Sequence, residues 1–512
     1  MGKRFSLKFN VCFTLFLLLG VLIANADTGF GKIKGFVKNT KNKPLQNVNV
    51  AIEGTSVNAI SNNSGEFSLD NVQSGSNTLV VTMIGYGTQK KQITISSGEI
   101  TECSFMLDDN AYHLNEVTII SSKQIYNPKE ISSSLRLGTP ILNIPQNVQV
   151  IDQSLLADQQ VNSMLEGVSR NVSGVRRMEH WDTYALLYMR GSQVAAFRNG
   201  MNVQMPWGPL AEDMSMVDRI EFVKGPAGFM LANGEPSGFY NIVTKKPTGN
   251  TKGSISTSLG SNDLYRAALD VDGILTKDKK LLVRLNMMGQ SAGSHRPNEW
   301  SKKYIIAPVL SYKFDDKTSL TAEYTYQHQQ MSVVGSNYVF GLNGYGELPY
   351  DFTTVEPNLD PTSINDHSLF LTLNHQFNKD WKFTGQLAYL NFNQKGSSIW
   401  PTSLDLDGTL HRRLTIWDAF NEAKLGQFFV NGKVTTGGIN HRILAGLDMG
   451  SKNYIADWGQ AFDLEGSVPF NIYNPQHGTL TASTLPKFDR SLSLRARAGN
   501  NIVNQNYTAL YV

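Results

Sequence analysis

The sequence predicts a mostly β protein built of three successive zones: an N-terminal β-sandwich, a mixed α/β domain and a long antiparallel β-barrel. Three observations lead to this prediction. Short β-branched runs alternate with turn residues at the start of the chain, apolar residues recur at helical spacing before its middle, and long strands with one apolar and one polar face fill its second half. The 44 glycines and the low charged content of 17% fit a β protein with many turns.

Length and charge narrow the possibilities. The 512 residues exceed what one hydrophobic core usually supports, so more than one domain is expected. The 46 basic and 43 acidic residues leave a net charge of only +3. Since nucleic-acid-binding proteins carry clear basic patches, no nucleic-acid partner is predicted.

Residues 1–26 resemble a secretory signal peptide in their order of features. A basic start that includes Lys3 and Arg4 precedes an apolar stretch from Val11 to Ile23, and Ala24 to Ala26 form an Ala-x-Ala cleavage site. The alternative is a transmembrane anchor, but the apolar stretch is shorter than the ~20 residues that a span needs. The mature protein is therefore predicted to begin at Asp27.

The first folded zone extends over residues 27–110. Its short β-branched runs, Val48 to Ile52 and Thr78 to Val81, are separated by turn residues such as Asn62 to Gly65. This spacing predicts a small β-sandwich that folds by itself.

Residues 111–134 form a separate stretch. Leu114 to Ile120 is rich in β-forming residues, and the polar run from Ser121 to Ser134 follows it. An extended segment of this kind can pair its backbone with the edge strand of another protein. The alternative is that it forms the last strand of the sandwich.

Residues 135–250 form the mixed α/β zone. Ser154 is the predicted N-cap of a helix over Leu155 to Val168. Strand-like pieces and glycine-rich turns follow it. The helix is predicted from five apolar residues at helical spacing: Leu156, Val161, Met164, Leu165 and Val168.

From Thr251 onward the chain predicts long antiparallel strands. In Lys317 to Gln327, apolar and polar residues alternate strictly, so that one face is apolar and the other polar. Tight turns such as Phe377 to Trp381 alternate with long polar stretches, Met331 to Asn365 and Gly396 to Arg412, as in outer-membrane barrels. A soluble sandwich would show the same strand alternation. Because no apolar run after the signal peptide is long enough for a helical span, membrane insertion would require a transmembrane antiparallel β-barrel.

Two sets of motifs carry a resemblance to known families. In the first zone, Gly35 to Thr55, Asn63 to Leu69 and Val81 to Thr88 resemble the carboxypeptidase-regulatory-like domain, an accessory module without catalytic residues. The second set lies in the mixed zone and resembles, in order and spacing, the plug domain of TonB-dependent outer-membrane siderophore receptors. Its motifs are Thr139 to Asp152, Tyr188 to Met201 and Val217 to Pro247.

The resemblance implies a function and its partners. It implies active import of a ferric siderophore across the cell outer membrane, with the TonB protein and its inner-membrane energising complex as partners and the barrel embedded in outer-membrane lipid. The siderophore is then the transported ligand, and no covalently bound cofactor is expected. The alternatives are a glycan or other nutrient importer of the same superfamily, or a secreted, non-transporting β-rich binding or adhesion protein. Thr139 to Asp152 favours the siderophore type.

The resemblance also implies site residues. The predicted TonB box consists of Glu116, Val117, Thr118, Ile119 and Ile120. In the family an arginine helps to hold the plug to the barrel through buried carboxylates. The corresponding latch residues here are Arg190, Gly191, Lys224, Gly225 and Pro226.

Lys224 stands where the family usually has a second arginine. The lysine keeps the charge but lacks the planar fork of a guanidinium, which puts bidentate pairing there in doubt. Gly225 and Gly238 are predicted to form tight turns where the plug backbone approaches the barrel wall.

Ligand contacts are expected at the plug apex. Met205 and Trp207 lie in the segment that the resemblance places there, although a packed hydrophobic turn explains them equally well. Weaker candidates are four aromatic residues of the long loops: Tyr338, Phe340, Tyr345 and Trp400.

No catalytic residue and no metal site is predicted. Gly289 to Gly293 fits the G-x-S-x-G string, but no helical pattern follows it as a nucleophile elbow requires. Asp405 to Gly408 is too short for a calcium loop. Cys12 leaves with the signal peptide, so Cys103 has no partner for a disulfide.

The barrel is expected to be incomplete in this chain. Barrels of this family close with about 22 strands, and Thr251 to Val512 supplies roughly half that number at typical strand lengths. Residues 251–512 are accordingly predicted to be the N-terminal part of the barrel, and the intact receptor is expected to continue for roughly another 250 residues.

Overall fold

The structure is a computed structural model that describes residues 29–512, apart from residues 41, 56, 84, 85, 87, 108–125, 127, 129, 179, 180, 182, 228, 229, 232, 233, 335–337, 465–467, 481 and 482. The chain divides into two compact units, with the boundary after Ser121. The predicted signal peptide and the predicted TonB box, Glu116 to Ile120, lie outside the described residues.

The first unit is a β-sandwich of two sheets. One sheet has the strand order β4-β1-β7 and the other β3-β2-β5-β6. Their inner faces enclose a core that includes Ile33, Leu79 and Leu107, all fully buried, and the lone Cys103 is buried with them. The strands are β1 (Phe30–Asn39), β2 (Asn49–Ile52), β3 (Asn58–Ile60), β4 (Glu66–Gln73), β5 (Gly75–Thr82), β6 (Gln89–Ile95) and β7 (Ile100–Leu107).

The second unit begins with the mixed zone. Its larger sheet has five strands in the order β13-β12-β15-β14-β8. A second sheet, formed by nearby stretches of the chain, has three strands in the order β11-β10-β9. The elements are β8 (Asn147–Asp152), α1 (Gln153–Asp158), β9 (Val175–Met178), β10 (Leu186–Met189), β11 (Ser192–Gln193), β12 (Ala195–Arg198), β13 (Met201–Asn202), β14 (Val217–Lys224), β15 (Gly238–Thr244) and the short 3-10 helices Ser133–Leu135, Ile141–Asn143, Val168–Asn171 and Met214–Met216.

The predicted helix over Leu155 to Val168 was too long. Helix α1 ends at Asp158, and Gln160 takes a left-handed φ of 53° that stops it from continuing. Leu156 is buried within α1, and Val161, Met164 and Val168 are buried beyond its end, where turns and a 3-10 helix follow. Leu165 is only half-buried. The N-cap is Asp152 instead of Ser154, because its Oδ1 accepts a hydrogen bond of 2.9 Å from the Leu155 amide.

The cap leads to a first prediction. We expect Asp152→Ala to destabilise the first turn of α1 by about 1 kcal/mol, because the Leu155 amide loses its acceptor. Hydrogen exchange of that amide measures the effect. Asp152→Asn keeps a side-chain oxygen and serves as the control, so equal exchange rates in the two variants would contradict the cap assignment.

The remainder of the second unit is dominated by one antiparallel sheet of ten strands, here called the barrel sheet. Its strands follow one another in the order β16-β17-β18-β19-β20-β21-β22-β25-β26-β28. They are β16 (Lys252–Gly260), β17 (Leu264–Ile274), β18 (Leu281–Gly293), β19 (Trp300–Lys313), β20 (Thr318–Met331), β21 (Thr362–Gln376), β22 (Trp381–Lys395), β25 (Asp418–Thr436), β26 (Ile439–Asp457) and β28 (Ile502–Tyr511).

The two faces of the barrel sheet differ as the alternation predicted. On β20, Glu323, Thr325 and Gln327 are buried against the mixed zone, whereas Tyr324 between them is exposed. Such a sheet is polar on its inner face and apolar on its outer face, which suits a lipid environment outside and a filled lumen inside. No helix among the described residues combines the length and the apolar composition needed to cross a membrane.

The turns and loops at the two ends of the sheet are unequal. Asp315 closes the turn between β19 and β20 by accepting hydrogen bonds from the amides of Lys317 and Thr318. At the other end, the stretch that was predicted as a polar loop, Gly396 to Arg412, contains strand structure. It forms a three-stranded sheet of β23 (Ser397–Leu404), β24 (Leu410–Ile416) and β27 (Ala461–Asp463), and the same loop end carries α2 (Leu494–Arg497).

Local apolar packing explains why this stretch is ordered. Ile399 and Leu414 are buried together with Val333, Leu464 and Leu480 from neighbouring loops. The hydrolase-like string Gly289 to Gly293 lies within β18, so it is part of a strand and forms no strand-to-helix elbow.

Candidate functional site

The mixed zone packs on the inner face of the barrel sheet. A single hydrophobic cluster contains Met201 and Met214 from the mixed zone together with Met288, Ile305 and Phe370 from the barrel strands. The mixed zone therefore covers the inner face of the barrel sheet, and the polar inner side chains of the sheet face its surface.

Five tryptophans gather where this zone meets the loop ends of β22, β25 and β26. Trp181 lies 4.3 Å from Trp417 and 4.7 Å from Trp207, measured between ring centroids. Trp417 also stacks on Trp458 at 5.4 Å, and Trp400 lies 6.2 Å from Trp181. We call these five residues the tryptophan cluster. Two of its members come from the mixed zone and three from the barrel and its loops, so the cluster joins both.

The structure places the predicted ligand residues at this cluster or beside it. Trp207 belongs to the cluster. Met205 is buried two residues before it in the chain, and its amide donates a hydrogen bond of 3.2 Å to the Gly208 carbonyl. Of the weaker loop candidates, Trp400 and Tyr338 also pack here. Tyr345 is fully exposed and Phe340 is exposed, and neither is a member of the cluster.

A cavity of about 460 Å³ opens beside the tryptophan cluster, between the mixed zone and strands β26 and β28. Gln204, Met205 and Pro206 of the mixed zone line it together with Lys452 and Tyr454 of β26. Tyr454 also packs within the cluster. Met205 and Trp207 thus border one continuous region that combines aromatic surface with a polar cavity.

Two buried ion pairs lie where the mixed zone meets the barrel sheet, one within the mixed zone and one that crosses to the sheet. Arg198 donates from Nη2 to Glu212 Oε1 at 2.9 Å and from Nη1 to Ser368 Oγ of β21 at 3.0 Å. Burial works against the Arg198 charge, but Glu212 and Asp366 outweigh it and raise the pKa of Arg198. A second pair joins Asp213 to Arg266 of β17 through two hydrogen bonds of 2.7 and 2.8 Å. Such forked pairs are among the strongest polar contacts in proteins.

Glu323 of β20 forms the centre of a further contact. It accepts 2.5 Å from Thr244 Oγ1 and 3.2 Å from Asn199 Nδ2, and Lys246 forms an ion pair with it. These three partners all belong to residues 135–250. The C-terminal end of the mixed zone is therefore attached to the barrel wall by a buried carboxylate.

The N-terminal end is attached in a different way, by the residues Ile131–Leu137, which we call the entry segment. Arg136 is buried, pairs with Asp448 of β26 at 2.8 Å and donates to the Tyr511 hydroxyl. Its guanidinium lies 5.0 Å from the Phe429 ring centroid, within cation–π range. Asn431 donates 2.7 Å to the Arg136 carbonyl, so β25, β26 and β28 all contact this residue.

The entry segment is also bonded to the sheet of the mixed zone. The buried Glu221 accepts 2.8 Å from Ser132 Oγ and 2.8 Å from Asn241 Nδ2. Burial raises the pKa of Glu221, although these hydrogen bonds act in the opposite direction. Gly200 is needed at the crossing point, because a Cβ there would come within 2.3 Å of the Ser134 carbonyl oxygen.

The predicted latch residues occupy other surroundings. Arg190 is exposed with a left-handed φ of 51°. Its guanidinium lies beside Gly225, whose φ of 100° favours glycine there. Lys224 donates to Gln149 Oε1 at 3.2 Å and to Ser173 Oγ at 2.8 Å, and burial, with a smaller effect of Arg190, lowers its pKa. Gly191 and Pro226 are exposed.

The nearest described neighbours of the glycines at 225 and 238 belong to the mixed zone itself, and their approach to the barrel wall stays a prediction. A Cβ at Gly238 would lie 2.1 Å from the Val223 carbonyl oxygen. The buried arginines that do reach barrel side chains, Arg136 and Arg198, were not singled out from the sequence. Arg198 lies inside the motif Tyr188 to Met201, directly before Asn199-Gly200, and this position was the one signal in the sequence that could have pointed to it. No local pattern in the sequence indicates that Arg136 is buried or paired.

A domain that fills the inner face of an antiparallel barrel sheet, preceded by a small sandwich, defines the architecture of plugged outer-membrane receptors. Comparison with known families agrees with this class. Residues 33–119 match the CarboxypepD_reg-like domain, and residues 140–239 match the TonB-dependent Receptor Plug Domain. Both resemblances predicted from the sequence motifs are confirmed, and the mostly β fold with them. The first match extends into Glu116 to Ile119, so it keeps open the alternative that this stretch belongs to the sandwich.

The chain is similar to siderophore receptors along most of its length. It is 29% identical over 341 residues to the metal-pseudopaline receptor CntO of Pseudomonas aeruginosa, which covers 64% of this chain and 46% of the relative. It is 24% identical to the ferrichrome outer membrane transporter/phage receptor of Escherichia coli, covering 68% of this chain and 50% of the relative. The chain therefore spans about half the length of the curated relatives it matches.

A solved structure gives the same result for the fold. The ferripyoverdine receptor of the outer membrane of Pseudomonas aeruginosa, bound to ferripyoverdine, superposes with a TM-score of 0.60 at 20% identity. The match covers 69% of this chain and 49% of that receptor. At this identity the likeness supports the plug-and-barrel fold.

Proposed function

We propose that this protein is an outer-membrane receptor that imports a ferric siderophore with energy delivered by TonB. The observation that carries the proposal is the mixed zone, hereafter the plug, packed on the polar inner face of a sheet whose outer face is apolar. An apolar outer face requires lipid around the barrel. Since the plug fills the lumen, a ligand passes only if the plug moves, and the work for that movement comes from outside the receptor.

Ligand recognition is assigned to the region around the tryptophan cluster. Met205 and Trp207 are proposed ligand contacts, because Met205 lines the cavity of about 460 Å³ and Trp207 belongs to the tryptophan cluster beside it. This volume lies within the ~300–1,000 Å³ typical of small-molecule sites. The relatives named above are receptors for metal chelates, which supports a ferric siderophore as the ligand. The proposed role is transport, with no covalent change in the ligand.

Coupling to TonB is assigned to the residues before the plug. The proposed TonB box, Glu116 to Ile120, precedes the entry segment, so a pull on the box acts next on Ile131–Leu137. Backbone pairing with a TonB strand needs an extended segment and few specific side chains. The proposal keeps the predicted latch residues as residues that stabilise the plug: Arg190, Gly191, Lys224, Gly225 and Pro226.

Iron uptake by cells tests this function. Deleting Glu116 to Ile120 is expected to abolish uptake of the ferric complex while its binding to the cells is retained, because only the energy coupling is lost. A deletion of Ser121 to Gln124, in the adjacent polar stretch, is the control of similar length and is expected to keep most of the uptake. Unchanged uptake without Glu116 to Ile120 would contradict the TonB role. Recovery of the protein in the soluble secreted fraction would contradict a receptor altogether.

A further inference from the structure

Lys452 is a buried cation on the inner face of β26. It is 7% exposed, and its Nζ donates 2.8 Å to the Gln204 carbonyl and 3.1 Å to Asn202 Oδ1. Both acceptors belong to the plug and both are neutral. The same side chain forms part of the wall of the cavity of about 460 Å³.

The other buried cations at the junction of plug and barrel have a carboxylate partner. Arg136 pairs with Asp448, Arg198 with Glu212 and Arg266 with Asp213. Within the described part of the chain, no carboxylate lies within ion-pair distance of Lys452, whose contacts are the two neutral acceptors of the plug. Glu235, the acidic residue of the cavity lining, is exposed and is not paired with it.

An uncompensated cation is costly at a buried position, and neutral acceptors recover only part of the lost hydration. Such a charge is stabilised when an anion enters the space in front of it. The cavity supplies that space, and Ser192, Gln193 and Gln505 add polar groups along its wall. Tyr454 connects the cavity to the tryptophan cluster, so an anion here lies next to the proposed ligand contacts.

We propose that Lys452 forms an anion-binding subsite, and that the imported ferric complex carries a negative charge on the part that enters this cavity. The inference rests on the proposed function and extends it to the charge class of the ligand. The negative charge has two possible sources, a catecholate iron centre or a peripheral carboxylate on the siderophore. Both present oxygen anions that accept a charge-assisted hydrogen bond from the ammonium group.

Binding measurements on the purified full receptor test the inference with three probes. They are a ferric tris-catecholate, which is anionic at the iron centre, a ferric tris-hydroxamate that bears a carboxylate, and an uncharged ferric tris-hydroxamate. Quenching of tryptophan fluorescence reports binding, since the tryptophan cluster lies beside the cavity. Lys452→Met removes the charge, and Lys452→Arg keeps it. Lys424→Met, at an exposed lysine on the outer face of β25, is the matched control.

We expect Lys452→Met to weaken binding of at least one anionic probe by about 10- to 100-fold, the range for a hydrogen bond to a charged group. Lys452→Arg and Lys424→Met are expected to bind that probe within about threefold of the unaltered receptor. If every anionic probe that binds the unaltered receptor binds Lys452→Met equally well, the inference is overturned and siderophore import is unaffected. Tight binding of the uncharged probe alone likewise overturns the inference.

Failure of the receptor to bind or import any ferric complex contradicts the proposed function itself. If Lys452→Met does not assemble, loss of anion binding in Lys452→Gln with folding intact supports the inference, and unchanged binding in that variant overturns it.

Discussion

Replacing Arg198 with methionine is expected to destabilise the plug by about 3–5 kcal/mol, the cost of breaking a buried ion pair by removing one partner. Arg198 is 1% exposed and stands between two carboxylates, its partner Glu212 and the nearby Asp366. Without the guanidinium, Glu212 would keep its charge in a buried position with no cation to offset it, and Ser368 would lose its donor. Methionine fills a similar length, so packing changes contribute less than the unpaired charge.

A urea titration of the purified receptor measures this effect through the tryptophan fluorescence, to which the plug residues Trp181 and Trp207 contribute. Arg170→Met is the matched control, because Arg170 is an exposed plug arginine whose Nε bonds only to the Gly167 carbonyl of its own turn. That control is expected to stay within about 0.5 kcal/mol of the unaltered protein. Adding Glu212→Gln to Arg198→Met should restore part of the loss, since it removes the orphaned charge. Equal unfolding midpoints for Arg198→Met and Arg170→Met would contradict a stabilising role for the pair.

Local patterns in the sequence were sufficient for the long strands of the barrel sheet and their faces. The alternation on β20 is a property of neighbouring residues, and it placed Tyr324 outside and Thr325 inside without reference to the rest of the chain. The tight turn from Phe377 to Trp381, which the Asn378 side chain closes, was recognisable for the same reason. The motifs of the plug added what alternation cannot provide, namely which domain lies between the sandwich and the barrel.

Contacts between distant residues were beyond such reasoning. Arg136 and Asp448 are 312 positions apart, and neither lies in a pattern that marks it as buried or paired. The helix after Asp152 was overextended because its apolar residues face the core from turns, which local periodicity cannot distinguish from a helix. The tryptophan cluster likewise joins residues from 181 to 458, and only the fold brings their rings within stacking distance.

The pair of Arg136 and Asp448 has a second large predicted effect. Asp448→Asn leaves the guanidinium buried without a counter-charge, and we expect the attachment of the entry segment to weaken by about 3–5 kcal/mol. The Tyr511 hydroxyl, which donates 3.0 Å to Asp448 Oδ1, loses its charged acceptor as well. Hydrogen exchange of the peptide that contains Ile131–Leu137 measures the change, with faster exchange expected in the variant.

Two further variants separate the ion pair from general loss of packing. Asp218→Asn breaks the half-exposed pair with Arg219, also 2.8 Å long, and is expected to change exchange by no more than about 1 kcal/mol. Combining Asp448→Asn with Arg136→Met removes the stranded charge and should restore much of the protection, since replacing both partners costs less than removing one. If Asp448→Asn exchanges no faster than Asp218→Asn, the ion pair does not hold the entry segment, and its other contacts, such as that of Ser132 with Glu221, do so. If it exchanges faster and the double variant recovers, Arg136 is the contact that a pull on the preceding residues has to break before the plug can move.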